Sequence, residues 1–362
     1  PPQPGPADTT PAPVDLGPPA PATAGTTNAH VTAAHTGALN LAGLEPPLQR
    51  RWRVTVEAKS PLAADGFVFA INPVAQRLDP ASGAPIWTYP PGARAAAYDR
   101  GRLFLATDTQ GLVALDAATG ATLWRAPQEL RRPVAADGEL YVGQQHSVTR
   151  YDPATGAPLW NHVGDLYSTS ARTVSLDGPY VSAGGVCAVL SRATGRPVQP
   201  LASCQGSEHP IAPFHRGHVL ESGYDVRDLD VDRGGRQVAQ NGSGTPPVVL
   251  GNLALLTGSG LRAFEFPSWR PRWRYVEPDG EPAGLPPLIV GGHAYWLSTA
   301  GWLRAIDLAT GTAVWGDPLY SFVRPYTQNV GAQMAVGDGL LLVPTTETLT
   351  AYEAPRSGQA PR

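Results

Sequence analysis

The 362-residue chain contains little cysteine and little charge, and it has no long apolar run. It has two cysteines, so a four-cysteine zinc site and a framework of several disulfides are both excluded. Charged residues make up 16% of the sequence and the formal net charge is −3, which gives no electrostatic basis for binding nucleic acid. No stretch reaches 18 apolar residues, so the sequence predicts no transmembrane helix.

Turn-forming residues, in contrast, are abundant. The 40 glycines and 39 prolines are typical of an all-β protein. Residues 1–28 are rich in proline, alanine and threonine and lack aromatic residues, which predicts a disordered tether. Residues 29–354 are then expected to form one domain, followed by a C-terminal tail at 355–362. Such a tether suits an exported protein, so we expect an extracytoplasmic location in the periplasm or cell envelope of a bacterium, with any lipid anchor outside this sequence.

A nine-residue motif occurs four times in nearly perfect form. Each copy reads Asp-x-x-Ser/Thr-Gly-x-x-x-Trp, so that Asp precedes Gly by four residues and Trp by eight. Gly supplies the positive φ of a tight turn, Asp and Ser/Thr can accept hydrogen bonds from the turn backbone, and Trp buries a large apolar area. The four sets are Asp79, Gly83 and Trp87; Asp116, Gly120 and Trp124; Asp152, Gly156 and Trp160; and Asp307, Gly311 and Trp315.

The spacing of the tryptophan position predicts the architecture. Its intervals range from 35 residues, between Trp52 and Trp87, to 42 residues, between Trp273 and Trp315. Each interval holds signals for four short strands, which is the content of a propeller blade. The last of eight units ends before a tryptophan, whereas Trp52 has no unit in front of it. The sequence therefore predicts an eight-bladed β-propeller of four-stranded antiparallel blades, closed by the N-terminal strand at residues 48–56, which completes the last blade.

Three units depart from the repeat. Gln199 and Val238 occupy the tryptophan position of units four and five, and Trp269 stands at the turn glycine of unit six. Neutral loss and functional specialisation both explain such drift. Cys187 and Cys204 lie 17 residues apart in unit four, and in an exported protein they are expected to form a disulfide, the alternative being two buried thiols.

The Asp-x-x-Thr-Gly-x-x-x-Trp repeat resembles that of the quinoprotein-type, or PQQ-like, β-propellers. The segments at 34–37 and 46–54 resemble the usual start of these propellers, and the similarity covers about residues 30–353. The resemblance implies either a calcium- and PQQ-dependent dehydrogenase or a non-catalytic scaffold. Among members of this size the chain is most similar to the BamB-like scaffolds, which implies a protein partner in the cell envelope and a role in outer-membrane protein assembly.

The residue content favours the scaffold. Catalytic members of the family resemble one another in having adjacent cysteines and long insertions, and this chain has neither a Cys-Cys pair nor a Cys-x-x-Cys-His haem site. The acidic run at 225–232 alternates with apolar residues as a half-exposed strand does. His209, His215 and His218 lack a standard zinc spacing, and we expect His35 to be a structural hydrogen-bonding residue. We therefore expect no catalytic residue, cofactor or metal, with a PQQ-dependent dehydrogenase or quinone-binding sensor as the alternative.

The loops between blades are the expected binding surface, because a rigid disc presents loops at both ends. The connector 317–328 carries aromatic residues and an arginine, types enriched at interfaces. These aromatics either bind a partner or fold back over the last blade. Further candidates are 161–167 and 204–218. The candidate partner-binding residues are Tyr320, Phe322, Arg324, Tyr326, His162 and Tyr167.

Two further expectations concern the disc as a whole. A second alternative function is a polysaccharide or small-ligand binder that uses the central funnel. Closure of the propeller removes free sheet edges, so the disc is expected to be monomeric within a larger complex.

Overall fold

All regular structure in the described part of the chain is β-strand, as the composition predicts. It includes no helix, and hence none long and apolar enough to cross a membrane. The computed structural model describes residues 13–127, 132–144, 147–164, 174–183, 188–200, 211–222, 226–230, 234–239, 245–278, 280–324 and 332–355.

Eight four-stranded antiparallel sheets form the blades, and the prediction of an eight-bladed propeller is confirmed. The first strand of each blade is innermost, where it lies beside the first strands of neighbouring blades. The first four blades are blade 1 (β3 Leu62–Ala64, β4 Phe67–Ile71, β5 Ala75–Leu78, β6 Pro85–Tyr89), blade 2 (β7 Ala93–Asp99, β8 Arg102–Thr107, β9 Gly111–Asp116, β10 Thr122–Ala126), blade 3 (β11 Pro133–Ala136, β12 Glu139–Gly143, β13 Ser147–Tyr151, β14 Pro158–Val163) and blade 4 (β15 Val174–Asp177, β16 Tyr180–Ala183, β17 Ala188–Ser191, β18 Pro197–Pro200).

The second half of the ring repeats this arrangement, with one strand added. The short strand β1 (Ala38–Leu39) runs parallel to the innermost strand of blade 7. The blades are blade 5 (β19 Phe214–His215, β20 His218–Ser222, β21 Val226–Asp230, β22 Gly234–Ala239), blade 6 (β23 Val248–Leu250, β24 Leu253–Gly258, β25 Gly260–Glu265, β26 Arg270–Tyr275), blade 7 (β27 Leu288–Val290, β28 His293–Leu297, β29 Trp302–Asp307, β30 Ala313–Pro318) and blade 8 (β31 Ala335–Gly337, β32 Leu340–Pro344, β33 Thr348–Glu353, β2 Gln49–Thr55).

Blade 8 combines the two ends of the chain. Its outer strand β2 pairs antiparallel with β33, and Trp52 stands opposite Ala351. Three strands of this sheet therefore come from the end of the chain and one from its beginning, which is the arrangement predicted from the tryptophan spacing. Blade 8 consequently has no turn that joins its third and fourth strands. At the junction with blade 7, Trp315 packs edge-on against Tyr352 with ring centroids 5.8 Å apart.

The antiparallel order gives the disc two different faces. The turns between the first and second strands and between the third and fourth strands lie on one side, which we term the turn face. The opposite side, which we term the loop face, carries the turns between the second and third strands and the connectors between blades. Both described ends of the chain lie on the turn face: Asp15 accepts a hydrogen bond from the amide of Asn252 in a blade 6 turn, and β33 ends there.

The repeated tryptophan joins each regular blade to the next one. The Trp87 indole N–H donates to the carbonyl of Ala117 at 3.2 Å, and its ring covers Gly120 of blade 2. Gly120 has φ +74° and a Cβ there would come within 2.8 Å of the ring, so the motif needs glycine for both conformation and space. We term the junction between two neighbouring blades a seam. The same contact is made at four other seams, with Trp52 on Gly83, Trp124 on Gly156, Trp160 on Gly195 and Trp273 on Gly311.

Residues 13–28 contact the disc rather than extending from it. Val14 and Leu16 pack against the apolar cluster of blades 6 and 7, and Thr26 and Asn28 are fully buried. The tether predicted over residues 1–28 is therefore corrected for residues 13–28. Proline and small residues offer little apolar surface, so composition suggested disorder, but the backbone of this segment hydrogen-bonds to the turn face and to the centre of the ring.

Candidate functional site

Residues 26–37, which we term the axial strap, follow the inside of the ring and contact every blade. In each innermost strand the amide at the equivalent position donates to the strap, over distances of 2.7–3.1 Å. The pairs, in order around the ring, are Val336 to Thr26 Oγ1, Ala63 to the Thr26 carbonyl, Tyr98 to Thr27, Ala135 to Asn28 Oδ1, Leu176 to Ala33, Phe214 to Ala34, Val249 to Thr36 and Ile289 to Gly37.

The strap satisfies backbone donors that would otherwise face a channel along the axis. It also fills that channel at the level of these hydrogen bonds, where Ala29 and Val31 are almost completely buried. The central funnel that the sequence offers as a ligand site is therefore filled at this level by the chain itself.

Two histidines hold the shape of the strap. His35 Nδ1 lies 2.5 Å from the carbonyl of Ala29 and its Nε2 lies 2.9 Å from the carbonyl of Val174 in blade 4. His30 Nδ1 lies 2.5 Å from the carbonyl of His35. Burial lowers the pKa of His30 to about 3 and that of His35 to about 4, which favours neutral rings at pH 7; a neutral His35 donates to only one of its two carbonyl neighbours. They act as structural groups within the ring.

The connector after β30 presents two aromatic side chains on the loop face. Tyr320 is 85% exposed and Phe322 is 61% exposed, whereas Leu319 and Val323 beside them are buried. The buried side chains of Leu319 and Val323 anchor this short segment in the disc, and the side chains of Tyr320 and Phe322 between them point into solvent. The expectation that these aromatics fold back over the last blade is therefore wrong for Tyr320 and Phe322.

Hydrogen bonds from neighbouring turns fasten this segment. The amide of Leu319 donates to Gly301 at 2.8 Å, and that of Val323 donates to Thr299 at 3.0 Å. On the blade 8 side, the hydroxyl of Thr346 donates to the carbonyl of Phe322 at 2.9 Å. Tyr320 itself has φ +50°, an uncommon conformation for a side-chain-bearing residue. We term residues 319–323 the aromatic loop; its hydrogen bonds to two blades hold the backbone that carries the exposed rings.

The other predicted binding residues are not gathered at this site. Arg324 is exposed and follows directly after the aromatic loop. His162 is half-buried on β14 of blade 3, which lies diametrically across the ring from blade 7, with three blades between them in either direction. Tyr326 and Tyr167 lie outside the described residues. Cys187 and Cys204 also lie outside them, so their disulfide stays a prediction, as does any role for residues 204–210.

Sequence reasoning missed the arrangement between blades 5 and 6. Trp269, at the turn glycine position, has φ +61° and is 8% exposed. Its indole N–H donates to Asp228 Oδ2 of blade 5 at 2.8 Å. The other oxygen of this buried carboxylate lies 2.7 Å from His218 Nδ1. The signal in the sequence was the coincidence of a missing tryptophan in one unit with an extra one in the next.

Blade 5 also carries a buried acid that the repeat pattern does not predict. Glu221 is 5% exposed, its Oε2 has no hydrogen-bond partner among the described residues, and burial raises its pKa to about 7. Alignment on the preceding turn shows that the other seven blades have apolar residues at this position, namely Ala70, Leu105, Val142, Ala183, Leu256, Trp296 and Val343.

The described residues supply no acidic cluster for the calcium ion that the family resemblance implies. Calcium takes six to eight oxygen ligands. No group of three or more histidine, cysteine, aspartate or glutamate side chains in the described ranges is placed to hold a metal ion. His215 and His218 both contact the ring of Phe266, at centroid distances of 5.7 and 5.1 Å. No chemical step through a quinone follows from this arrangement.

Comparisons with known proteins agree with the fold. A family model described as outer membrane protein assembly factor BamB matches residues 71–206. BamB from Moraxella catarrhalis is similar in structure, with a TM-score of 0.64, 16% identity, and coverage of 84% of this chain and 99% of that chain. Quinohemoprotein alcohol dehydrogenase from Comamonas testosteroni has a TM-score of 0.67, 15% identity, and coverage of 94% and 83% respectively. A search of curated proteins found no match.

These likenesses confirm the predicted resemblance to the PQQ-like propellers and the fold that goes with it. At identities of 16% and 15% they establish architecture alone, since one fold hosts many functions. A scaffold and an enzyme stand equally close, so the choice between them must come from the residues of this chain.

Proposed function

We propose that this protein is a non-enzymatic scaffold of the cell envelope that binds a partner protein on the loop face through Tyr320 and Phe322. The observation that carries this proposal is the aromatic loop, in which two highly exposed rings stand on a backbone that is hydrogen-bonded to two blades. The likeness to BamB supports the finer role, assistance in the assembly of outer-membrane proteins.

The energetics of recognition favour such a pair. A few buried aromatic residues supply most of the binding free energy at typical interfaces, and truncating one of them costs about 2 kcal/mol or more. A loop that is already ordered loses little conformational entropy on binding. The positive φ of Tyr320 is a strained conformation of the type that clusters at ligand-binding sites.

The first and last described residues of the chain lie away from the loop face. Residues 13–20 and the end of β33 both lie on the turn face, on the other side of the disc from Tyr320. Any attachment through the N-terminal segment would therefore hold the turn face towards its anchor and present the aromatic loop away from it. This geometry matches an envelope protein that is tethered at one end and recruits a partner with the opposite face.

The proposal is tested by affinity capture from envelope extract, with the protein immobilised through an N-terminal tag. We expect Tyr320→Ala and Phe322→Ala each to weaken binding of the captured partner at least about tenfold, as removal of an interface anchor does. Leu123→Ala is the matched control, because Leu123 is 48% exposed on the outer strand of blade 2. Equal retention of the partner by all four proteins would rule out the aromatic loop as the binding site.

A second measurement addresses the dehydrogenase alternative. The purified protein is mixed with the quinone and calcium and assayed for cofactor absorbance and for dye-linked alcohol oxidation. We expect no turnover, because the described residues supply no calcium ligand cluster. Stoichiometric cofactor binding with turnover would overturn the scaffold proposal.

A further inference from the structure

The axial strap is strained at three of its residues. His30, Val31 and His35 have φ of +53°, +80° and +54°. Positive φ is unfavourable for any residue with a Cβ, and a β-branched residue such as Val31 is a genuine outlier there. Such conformations persist only where surrounding contacts enforce them. Here the enforcing contacts are the eight hydrogen bonds from the innermost strands and those of the two histidines.

His30 makes the closed strap dependent on its protonation state. Its Nδ1 faces the carbonyl of His35, so this nitrogen carries the proton of the neutral ring. Its Nε2 is buried without a hydrogen-bond partner among the described residues. That nitrogen lies against Gly37, where a Cβ would come within 2.5 Å of it and within 2.9 Å of a Val248 methyl group. A second proton would therefore place a charged donor in a tight site that offers it no acceptor.

We propose that the axial strap is an acid-released latch, in which protonation of His30 frees residues 26–37 from the innermost strands of the blades. In the closed form the backbone of the strap is strained and the His30 ring carries a single proton. The open form relieves the strain and exposes the amides that the strap had covered. The device is a bistable segment at the centre of the ring, separate from the aromatic loop on the loop face.

The sign of the pH dependence follows from burial. Burial lowers the pKa of His30 from 6.5 to about 3, so the closed strap is fully favoured above pH 6.5 and loses stability as the pH falls towards 3. Burial also lowers the pKa of His35 to about 4, but both of its ring nitrogens face carbonyl oxygens that would accept a second proton's hydrogen bond, so the release is assigned to His30 alone. Gln333, which accepts the hydrogen bond from the His30 amide, is uncharged. Release is thus expected between pH 6.5 and 3.

The test is residue-resolved amide exchange of the full-length protein between pH 7 and pH 4, expressed as protection relative to intrinsic exchange. We expect the innermost-strand amides that donate to the strap, such as those of Ala63, Leu176 and Val249, to lose protection together by about tenfold or more. Amides in the ladders between the second and third strands of the same blades should stay protected. Loss of protection in all strands at the same pH would mean global unfolding and would overturn the proposal.

One variant and a control sharpen the result. His30→Gln should remove most of the pH dependence, whereas His162→Gln, at a half-buried histidine of blade 3, should not change it. An unchanged midpoint in His30→Gln would contradict the latch.

If His30→Gln does not fold, the wild-type protein still decides the question. Titration of the His30 ring by nitrogen-15 NMR should show the neutral Nδ1–H form until the covered amides begin to exchange. An ordinary titration near pH 6.5 in a closed strap would contradict the proposal.

Discussion

Two kinds of seam pack an indole between neighbouring blades. At the regular seams the indole belongs to the preceding blade, and at the seam between blades 5 and 6 it belongs to the following blade. At a regular seam, such as that of blades 1 and 2, Trp87 on an outer strand reaches forward onto the turn glycine of the next blade. Between blades 5 and 6 the strand pairing places Arg236 opposite Asp228, as Trp87 stands opposite Arg77, so the prediction that Val238 occupies the tryptophan position of blade 5 is wrong. Trp269 instead reaches back from the glycine position of blade 6 into the cluster with Leu220 and Val226 of blade 5.

The comparison shows that the blade supplying the ring can change. Seven of the eight seams contain a large aromatic ring among the described residues, and blade 4 has Gln199 at the tryptophan position instead. Trp269 keeps the positive φ of the glycine that it replaces, at a conformational cost of about 1–2 kcal/mol. Its indole N–H also needs a new acceptor, and Asp228 fills that role. The repeat therefore drifted in sequence while the contact between blades was preserved.

Removal of a regular indole should have the largest effect on stability. Trp87→Ala leaves a cavity over Gly120 and removes the hydrogen bond to Ala117, so we expect the free energy of unfolding to fall by about 4–5 kcal/mol. Ile86→Ala on the same strand is the control, because Ile86 is 49% exposed and its truncation should change stability by less than about 0.5 kcal/mol. Denaturant unfolding measures both. Similar values for the two variants would mean that the indole does not stabilise the seam.

Removal of the reversed indole should have a somewhat smaller effect. Trp269→Gly restores the regular turn residue and relieves the strained φ, but it opens the cluster and leaves Asp228 without its indole donor. We expect a loss of about 3–4 kcal/mol in the free energy of unfolding. A Trp269→Gly variant that is as stable as wild type would show that the position needs only glycine and that the reversed indole is incidental.

The double variant Arg236→Trp with Trp269→Gly tests whether direction matters, because Arg236 stands opposite Asp228 as Trp87 stands opposite Arg77. It rebuilds the regular arrangement, so it should recover at least about half of the stability that Trp269→Gly loses. Arg236→Trp alone is the matched control and should destabilise, because two indoles would then compete for one space. Denaturant unfolding of the three variants gives the coupling free energy between the two positions.

Local turn chemistry made the blade count predictable, and long-range contacts limited the rest. The Asp79-to-Gly83 turn and its repeats specify their conformation within a few residues, so their spacing could be read directly. The axial strap could not be predicted, because its carbonyl acceptors belong to irregular backbone whose partners lie in eight separate strands. The sequence identified Tyr320 and Phe322 as candidates but did not show whether they face solvent or the disc. Leu319 and Val323 are apolar as well, and nothing in the sequence distinguishes the buried apolar residues of this segment from the exposed ones.

Glu221 extends the comparison from the seam to the body of blade 5. The regular blades bury an apolar residue at this position, and blade 5 buries a carboxyl group whose Oε2 lacks a hydrogen-bond partner among the described residues. Burial raises the pKa of Glu221 from 4.5 to about 7, so the folded state holds this proton more tightly than the unfolded chain. Its contribution to stability is therefore complete below pH 4.5 and is lost as the pH rises through 7.

Glu221→Gln should consequently stabilise the protein in alkaline solution and not in acid. At pH 8 the variant should unfold with a free energy about 2–3 kcal/mol above wild type, and near pH 4.5 the two should be equal. The buried histidines of the strap give the opposite slope, so the quantity to measure is the difference between variant and wild type at each pH. Glu347→Gln, at an exposed glutamate, is the control. A difference that stays constant from pH 4.5 to pH 8 would mean that Glu221 titrates normally and that blade 5 tolerates the acid by hydrating it.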